Sequence, residues 1–346
     1  MKRTLVVLAV FALVAFAGDM ISGGSELTKF TGHASFRYSM NGFEDINPSS
    51  TMGTYSYVSW VPKLNEYVDG KIGATITTPS ATNFNVCYAY LNLHFTDNFT
   101  LSGGQMNIPF GYAYTRSSGS MLFADRSMIV SGDDFGAYGG KDNMAMLTAE
   151  FAPVTVDLAL SNGDGMRNSA DTTVNKQFTA RLAVDPAEWL TIGGSMAMIG
   201  APEVTVEEVT TESWSSNGMD FFAVANYPVT STGTLNFVGE YMMLAAYDVE
   251  NAHDGASMSA MLAYDAQLNG DVIKAVQPAV RFDTIDPIDL TGNDELEDNS
   301  TVLDFCVGIE VFSNKNTFQI GARNYGFENE DIDGYTDIYA KWRMNF

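Results

Sequence analysis

From Thr28 the chain reads TKFTGHASFRYSM. Phe30, Gly32, Ala34, Phe36, Tyr38 and Met40 fall on one side of an extended strand, and Thr31, His33, Ser35, Arg37 and Ser39 on the other. This period of two recurs through the chain and constrains its fold more than any other feature, because a helix needs a period of about 3.6. The same dyad runs through EYVDGKIGATI, KQFTARLAV, GTLNFVGEYMM and STVLDFCVGIEVF. It also runs to the last residue: in YTDIYAKWRMNF, Ile338, Ala340, Trp342, Met344 and Phe346 oppose Asp337, Tyr339, Lys341, Arg343 and Asn345. Such strands have one face for an apolar medium and one for water. In a sandwich that medium is a second sheet; in a transmembrane barrel it is lipid.

The spacing of the strands separates these two cases. About 16 segments of roughly 9 to 11 residues are recognisable. They begin near Lys29, Gly53, Tyr67, Asn85, Asn98, Asn143, Val154, Lys176, Leu190, Gly218, Thr234, Ala256, Ile273, Thr301, Thr317 and Tyr335. Tight turns such as TDN, AP, DPAE and SNKN alternate with long connections, of which Asn107 to Asp142 is the longest. An outer-membrane barrel has this rhythm, with short periplasmic turns and long outer loops. The predicted fold is therefore all-β: a transmembrane antiparallel barrel of about 16 strands. The longest connection, its third loop, follows the fifth strand, where similar barrels fold a loop inward, and by that likeness it is expected to fold into the pore.

The N-terminus fits export. Lys2 and Arg3 precede an apolar run from Leu5 to Val14, and Ala15, Phe16 and Ala17 give a small-x-small cleavage pattern. Residues 1–17 read as a cleaved signal peptide and 18–346 as one barrel domain, too interrupted by polar residues for a transmembrane helix. Losing two cations takes the net charge from -24 to about -26, which argues against nucleic acid as a partner. Cys87 and Cys306 are too few for a disulfide framework. Three histidines without CxxC or HExxH call for no metal, and nothing calls for a cofactor. His33 and Ser35 share a strand face, but no third group completes a triad, so no enzyme is predicted.

The long third loop carries a resemblance. GQMNIPFGY, then SSGSMLFADRSMIV, then DDFGAYGG, followed by LALSNGDGMRNS and FTARLAVDPAEWLTIGGS, resemble the phosphate-selective porin O and P family over roughly residues 85 to 195. The resemblance implies a 16-stranded barrel, usually trimeric, that passes small hydrophilic solutes by diffusion. Anion-selective members of that family line the lumen with arginines and crowd its entrance with lysines. Here the connections 200–217, 284–300 and 325–334 contain no Lys or Arg. They hold Glu203, Glu207, Glu208, Glu212, Asp286, Asp289, Asp294, Glu295, Glu297, Asp298, Glu328, Glu330, Asp331 and Asp333. An acidic mouth focuses cations, so a weak cation preference is expected. The alternatives are the anion or phosphate selectivity of the family name, or a structural barrel with an occluded lumen.

The dyad assigns Arg37, Asp69, Lys71, Asp157, Arg181, Asp220, Glu240, Asp304, Glu310, Arg323, Asp337, Lys341 and Arg343 to the water-facing side, as a transverse field for ions or as ion pairs bracing the wall. Arg116, Asp125, Arg126, Asp133 and Asp134 of the third loop are the constriction candidates. Trp342, Met344 and Phe346 read as the signal to the barrel assembly machinery, and Tyr38, Tyr55, Tyr57, Trp60, Tyr88, Tyr90, Tyr241, Tyr339 and Trp342 include the interface girdles, with a sugar-stacking slide inside the lumen as the alternative. The expected partners are lipid and lipopolysaccharide of a bacterial outer membrane, a homotrimer's other copies and small hydrophilic solutes.

Overall fold

Alternation decides the architecture residue by residue. Along one strand Phe305 is 53% exposed and Val307 42%, while Asp304 between its apolar neighbours is 0% exposed. The exposed set is apolar and the covered set polar, the inverse of a water-soluble sheet. The computed structural model describes residues 28–42, 49–78, 83–130, 138–163, 176–201, 204–206, 209–211, 214–245, 254–286, 299–313, 315–328 and 334–346.

Sixteen strands close into one antiparallel barrel. They are β1 (Thr28–Gly42), β2 (Ser49–Pro62), β3 (Val68–Thr78), β4 (Asn83–Thr96), β5 (Phe99–Asn107), β6 (Lys141–Phe151), β7 (Val154–Ser161), β8 (Lys176–Ala187), β9 (Leu190–Ala201), β12 (Trp214–Thr230), β13 (Gly233–Leu244), β14 (Gly255–Gln267), β15 (Ile273–Asp286), β16 (Ser300–Val311), β17 (Asn316–Phe327) and β18 (Tyr335–Asn345). The periodic segments of the sequence correspond to these one for one. The connection after β9 adds a small hairpin that the dyad does not announce, β10 (Val204–Val206) with β11 (Val209–Thr211).

Closure joins β1 to β18, from His33 opposite Asn345 to Gly42 opposite Thr336. The C-terminal residue extends it: Gly32 N donates to Phe346 O and Phe346 N to Gly32 O, both at 3.0 Å. A Cβ on residue 32 would lie 2.7 Å from the Phe346 ring and 2.3 Å from the Tyr57 carbonyl oxygen, so the seam requires glycine there. Trp342 is outward and stacks on Phe318 with ring centres 5.6 Å apart. Gly321 serves a similar purpose on the inner wall. Tyr339 lies across it, and a Cβ would meet the tyrosine hydroxyl at 2.4 Å.

One strand departs from strict alternation. In β4, Phe84 and Val86 face out, but so do Leu91, Leu93 and Phe95, whose parity is opposite. Gly73 of β3 pairs with Tyr88 and Ala74 with Val86, leaving Cys87 as the extra residue of a bulge. Two residues opposing one re-aim the strand, so Cys87 and Tyr88 both reach the lumen.

Candidate functional site

The described residues of the third loop, 108–130 and 138–140, fold into the barrel. Its entry turn is apolar: Ile108 and Phe110 are buried with Ile129, Val130 and Tyr138 against Met106, Met144, Ala159, Ile199 and Met242 of the wall. Gly111 follows with φ 74°, a conformation that glycine adopts without strain, and starts a single helical turn, α1 (Tyr112–Thr115). From there the loop runs in irregular backbone whose polar groups need partners, and the wall supplies them. Ala113 N donates to both oxygens of Glu240 at 3.2 and 3.0 Å. Arg343 Nη1 donates to Met121 O at 2.6 Å, Gln319 Nε2 to Leu122 O, and Lys341 Nζ to Ala124 O at 2.6 Å. Met128 N donates to Asp283 Oδ2 at 2.9 Å, and Gln177 Nε2 to Tyr138 O at 2.6 Å.

At the middle of this strap sits a buried ionic cluster. Asp304 Oδ2 accepts from Arg281 Nη2 at 3.1 Å and from Arg323 Nη2 at 2.9 Å, and Oδ1 accepts from Tyr339 OH at 2.8 Å. The loop joins through Asp125, which accepts from Arg37 Nη1 at 2.6 Å and lies 3.2 Å from Arg323 Nη1. Arg281 Nη1 donates to the Asp125 carbonyl at 3.1 Å. Burial works against ionisation of Asp125, but Arg37, then Arg323 and Lys341, outweigh it and hold the carboxyl below its ordinary pKa. The ionic tether is therefore present above the ordinary carboxylate pKa and is lost only as pH falls through the depressed one. Asp125→Asn is expected to change the single-channel conductance at neutral pH and to match the parent chain only in solution more acidic than about pH 4, the ordinary range of Asp. Equal conductance of the two at pH 7 would contradict the tether.

The strap covers the wall from β8 round to β1 and leaves the face of β2 to β6 open. Between that face and the loop lies a cavity of about 500 Å³, lined by Tyr55, Tyr57, Lys71, Tyr88, Tyr90 and Asn92 of the wall, by Lys141, and by Thr115, Ser117 and Arg126 of the loop. The barrel is thus closed, with an inward third loop and a passage to one side of it. Residues 65–204 match the family model of phosphate-selective porin O and P. The barrel is similar to solved porin structures at low identity. OprB of Pseudomonas putida in its high-pH structure is 10% identical with a TM-score of 0.66, covering 92% of this chain and 94% of that one. An anion-selective porin from Comamonas acidovorans is 11% identical with a TM-score of 0.60, covering 92% and 99%. OmpT of Vibrio cholerae, an outer membrane protein in a trimer form, is 9% identical with a TM-score of 0.58, covering 93% and 100%. No curated protein matches the chain.

In this lumen the predicted residues divide into separate groups. Of the constriction candidates, Arg126 lines the passage, and its Nη1 also donates to the Arg116 carbonyl at 2.8 Å. Arg116 lines a second, small cavity of about 60 Å³ between loop and wall, Asp125 turns to the wall, and Asp133 and Asp134 lie outside the described residues. Of the wall set, Lys71 lines the passage. Arg37, Glu240, Arg323, Lys341 and Arg343 hold the loop directly, and Asp304 does so through its arginines. Asp157 pairs with Arg181 at 3.4 Å, Asp220 accepts from Ser195 at 3.2 Å, and Asp69 from Asn92 at 2.6 Å. Glu310 accepts from Gln277 at 3.5 Å, and Asp337 stands opposite Arg323 in register.

Lys141 and four tyrosines line the passage although period-two reading did not place them there. Tyr55, Tyr57, Tyr88 and Tyr90 line the cavity, whereas Trp60, Tyr241 and Trp342 are exposed outside. The parity change in NFNVCYAYLNLHF, apolar at 84 and 86 and then at 91 and 93, is the signal that could have placed them.

The two thiols give a direct test of the strap. Both thiols are buried: Cys87 borders the passage with its Sγ donating to Gly73 O at 3.4 Å, whereas Cys306 Sγ donates to Leu122 O beneath the loop at 3.5 Å. A small anionic methanethiosulfonate added to the folded protein is expected to modify Cys87 slowly from the passage, lower the conductance and spare Cys306. Cys87→Ser should abolish both effects; rapid labelling of Cys306 would mean that the loop does not lie where described.

Proposed function

We propose that the chain is an outer-membrane porin through which small hydrophilic solutes diffuse, and that the passage favours anions. The observation that carries the preference is the charge left unpaired along it. Lys71, Lys141 and Arg126 line the cavity without a carboxylate partner among the described residues, against Glu150. The acids elsewhere in the lumen are largely committed, Asp125, Asp157, Asp283 and Asp304 each to an arginine. Unpaired cations beside low-dielectric walls raise the local anion concentration.

The cation preference expected from the sequence rests on acids of the outer connections, most of which lie outside the described residues. Asp286 and Glu328 border a separate cavity of about 360 Å³ at the ends of β15 to β17. Mouth and passage act in series, and charge has more effect where the path is confined between loop and wall. The same reading includes a signal at residues 1–17, a barrel set in outer-membrane lipid and lipopolysaccharide, insertion by the barrel assembly machinery through Trp342, Met344 and Phe346, and a homotrimer, which the trimer form of the OmpT neighbour supports. It is a channel and not an enzyme. His33 is packed against the Tyr55 and Tyr57 rings, and Ser35 Oγ donates to the Tyr55 carbonyl, so the two are not arranged as nucleophile and base.

The folded protein in a planar bilayer across a KCl gradient tests this. Stepwise conductance with an anion-side reversal potential is expected. A cation-side reversal would mean that the acidic mouth dominates, and a silent membrane would overturn the porin reading.

A further inference from the structure

The porin reading leaves unexplained why the unpaired cations are interleaved with tyrosine rings. Lys71 Nζ lies 5.6 Å from the ring centre of Tyr57 and 4.3 Å from that of Tyr88. Lys141 Nζ lies 5.3 Å from Tyr88 and 5.0 Å from Tyr114, and Arg126 Cζ lies 4.9 Å from Tyr114. Tyr88 is fixed by its hydroxyl, which donates to Asn107 Oδ1 at 3.0 Å. A ring quadrupole holds a cation in place without neutralising it, so the row stays positive and ordered.

A bare inorganic oxyanion is held best by several donors that converge on it. Here the cations are spread over two tyrosine rings, Lys71 and Lys141 at Tyr88 and Lys141 and Arg126 at Tyr114. The cavity, about 500 Å³, is within the roughly 300–1,000 Å³ typical of sites for small organic ligands. Beyond the charges it is lined by the Tyr90 ring and by polar groups held in place by the wall and loop: the Asn92 amide, which donates to Asp69 and accepts from Ser102, the Thr100 hydroxyl beside His94, and the Thr115 hydroxyl, which donates to Tyr112 O. Together these suit a body that is ring-shaped and hydroxylated and carries a negative group.

We propose, resting on the porin reading, that the passage contains a binding subsite for sugar acids. The carboxylate sits between Lys71 and Lys141, and the hydroxylated ring lies against Tyr90 and Asn92. Selection is then for an organic anion over both a neutral sugar and a small inorganic anion.

The test uses glucuronate, glucose and inorganic phosphate on the folded full-length protein. Glucuronate is expected to interrupt the chloride current in a bilayer and to bind by calorimetry in detergent, with glucose and phosphate about tenfold weaker. Lys71→Gln and Lys141→Gln should each raise the glucuronate dissociation constant about tenfold, the scale of one charged hydrogen bond, and Lys141→Arg should retain binding. Tyr90→Leu should weaken glucuronate and leave phosphate unmoved. Phosphate binding as tightly as glucuronate would overturn the proposal in favour of a plain anion site, and glucose binding as tightly would remove the role of charge. The chloride current reports on the porin reading separately. Current without glucuronate binding overturns the subsite alone, whereas a silent channel that still binds glucuronate overturns the porin reading and not the subsite.

Discussion

Asp304→Ala is expected to destabilise the folded barrel by about 3 kcal/mol and to raise its conductance. The carboxylate is 0% exposed and is shared by Arg281 and Arg323, themselves nearly buried, and by the Tyr339 hydroxyl. Its loss strands positive charge in a dry cluster, which costs about 3–5 kcal/mol when a buried pair is broken from one side. The lower end applies because Arg323 keeps Asp125 and Arg281 keeps Asp283. Both arginines also position the loop, Arg281 through the Asp125 carbonyl and Arg323 through its carboxylate, so the strap should loosen into a wider passage. Denaturant unfolding followed by aromatic fluorescence, with single-channel recording, measures both effects. Adding Arg281→Met should recover part of the lost stability by removing one stranded charge. Unchanged stability and conductance in Asp304→Ala would show that the cluster does not hold the loop.

The second large effect is expected from Lys71→Glu combined with Lys141→Glu. Both ammonium groups lie against the Tyr88 ring and neither has a carboxylate partner among the described residues. Reversing them changes the sign of the field in the passage without breaking an ion pair. The reversal potential in a KCl gradient should cross from the anion to the cation side, with the permeability ratio changing by about tenfold or more. The folded band on a gel should survive the substitutions. A ratio that stays put would locate selectivity at the acidic mouth instead.

The course of these two experiments depends on residues of unequal legibility. The fate of Asp304 could be read partly from STVLDFCVGIEVF, because period two places Asp304 with Cys306 on the inner face. That its partners are Arg281 and Arg323 could not be read, since cross-strand pairing depends on register and a one-residue slip changes every partner. Lys141 was hidden differently. It stands at the junction of loop and strand, where a periodic pattern has only begun, and its neighbours Tyr88 and Tyr114 come from a bulged strand and a helical turn. The assignment of Asp125 to a constriction met the same limit: adjacent to Arg126 in sequence, it turns to the wall while Arg126 faces the passage.

The sequence alone determined the closed barrel and its sixteen strands, and likeness to known barrels placed the third loop inward. An alternation of two, an even set of segments and an alternation of short and long connections are one-dimensional properties with a single low-energy solution in lipid, where each backbone group must find a partner. Only the tertiary structure decided which charges are free. The strap is long and irregular, its carbonyls draw Arg281, Lys341 and Arg343 and its Asp125 carboxylate draws Arg37 to one side of the lumen, and Lys71, Lys141 and Arg126 are left along the other. A net charge of -24 gives no hint of that partition, because selectivity depends on the few charges that remain unpaired where the path is confined.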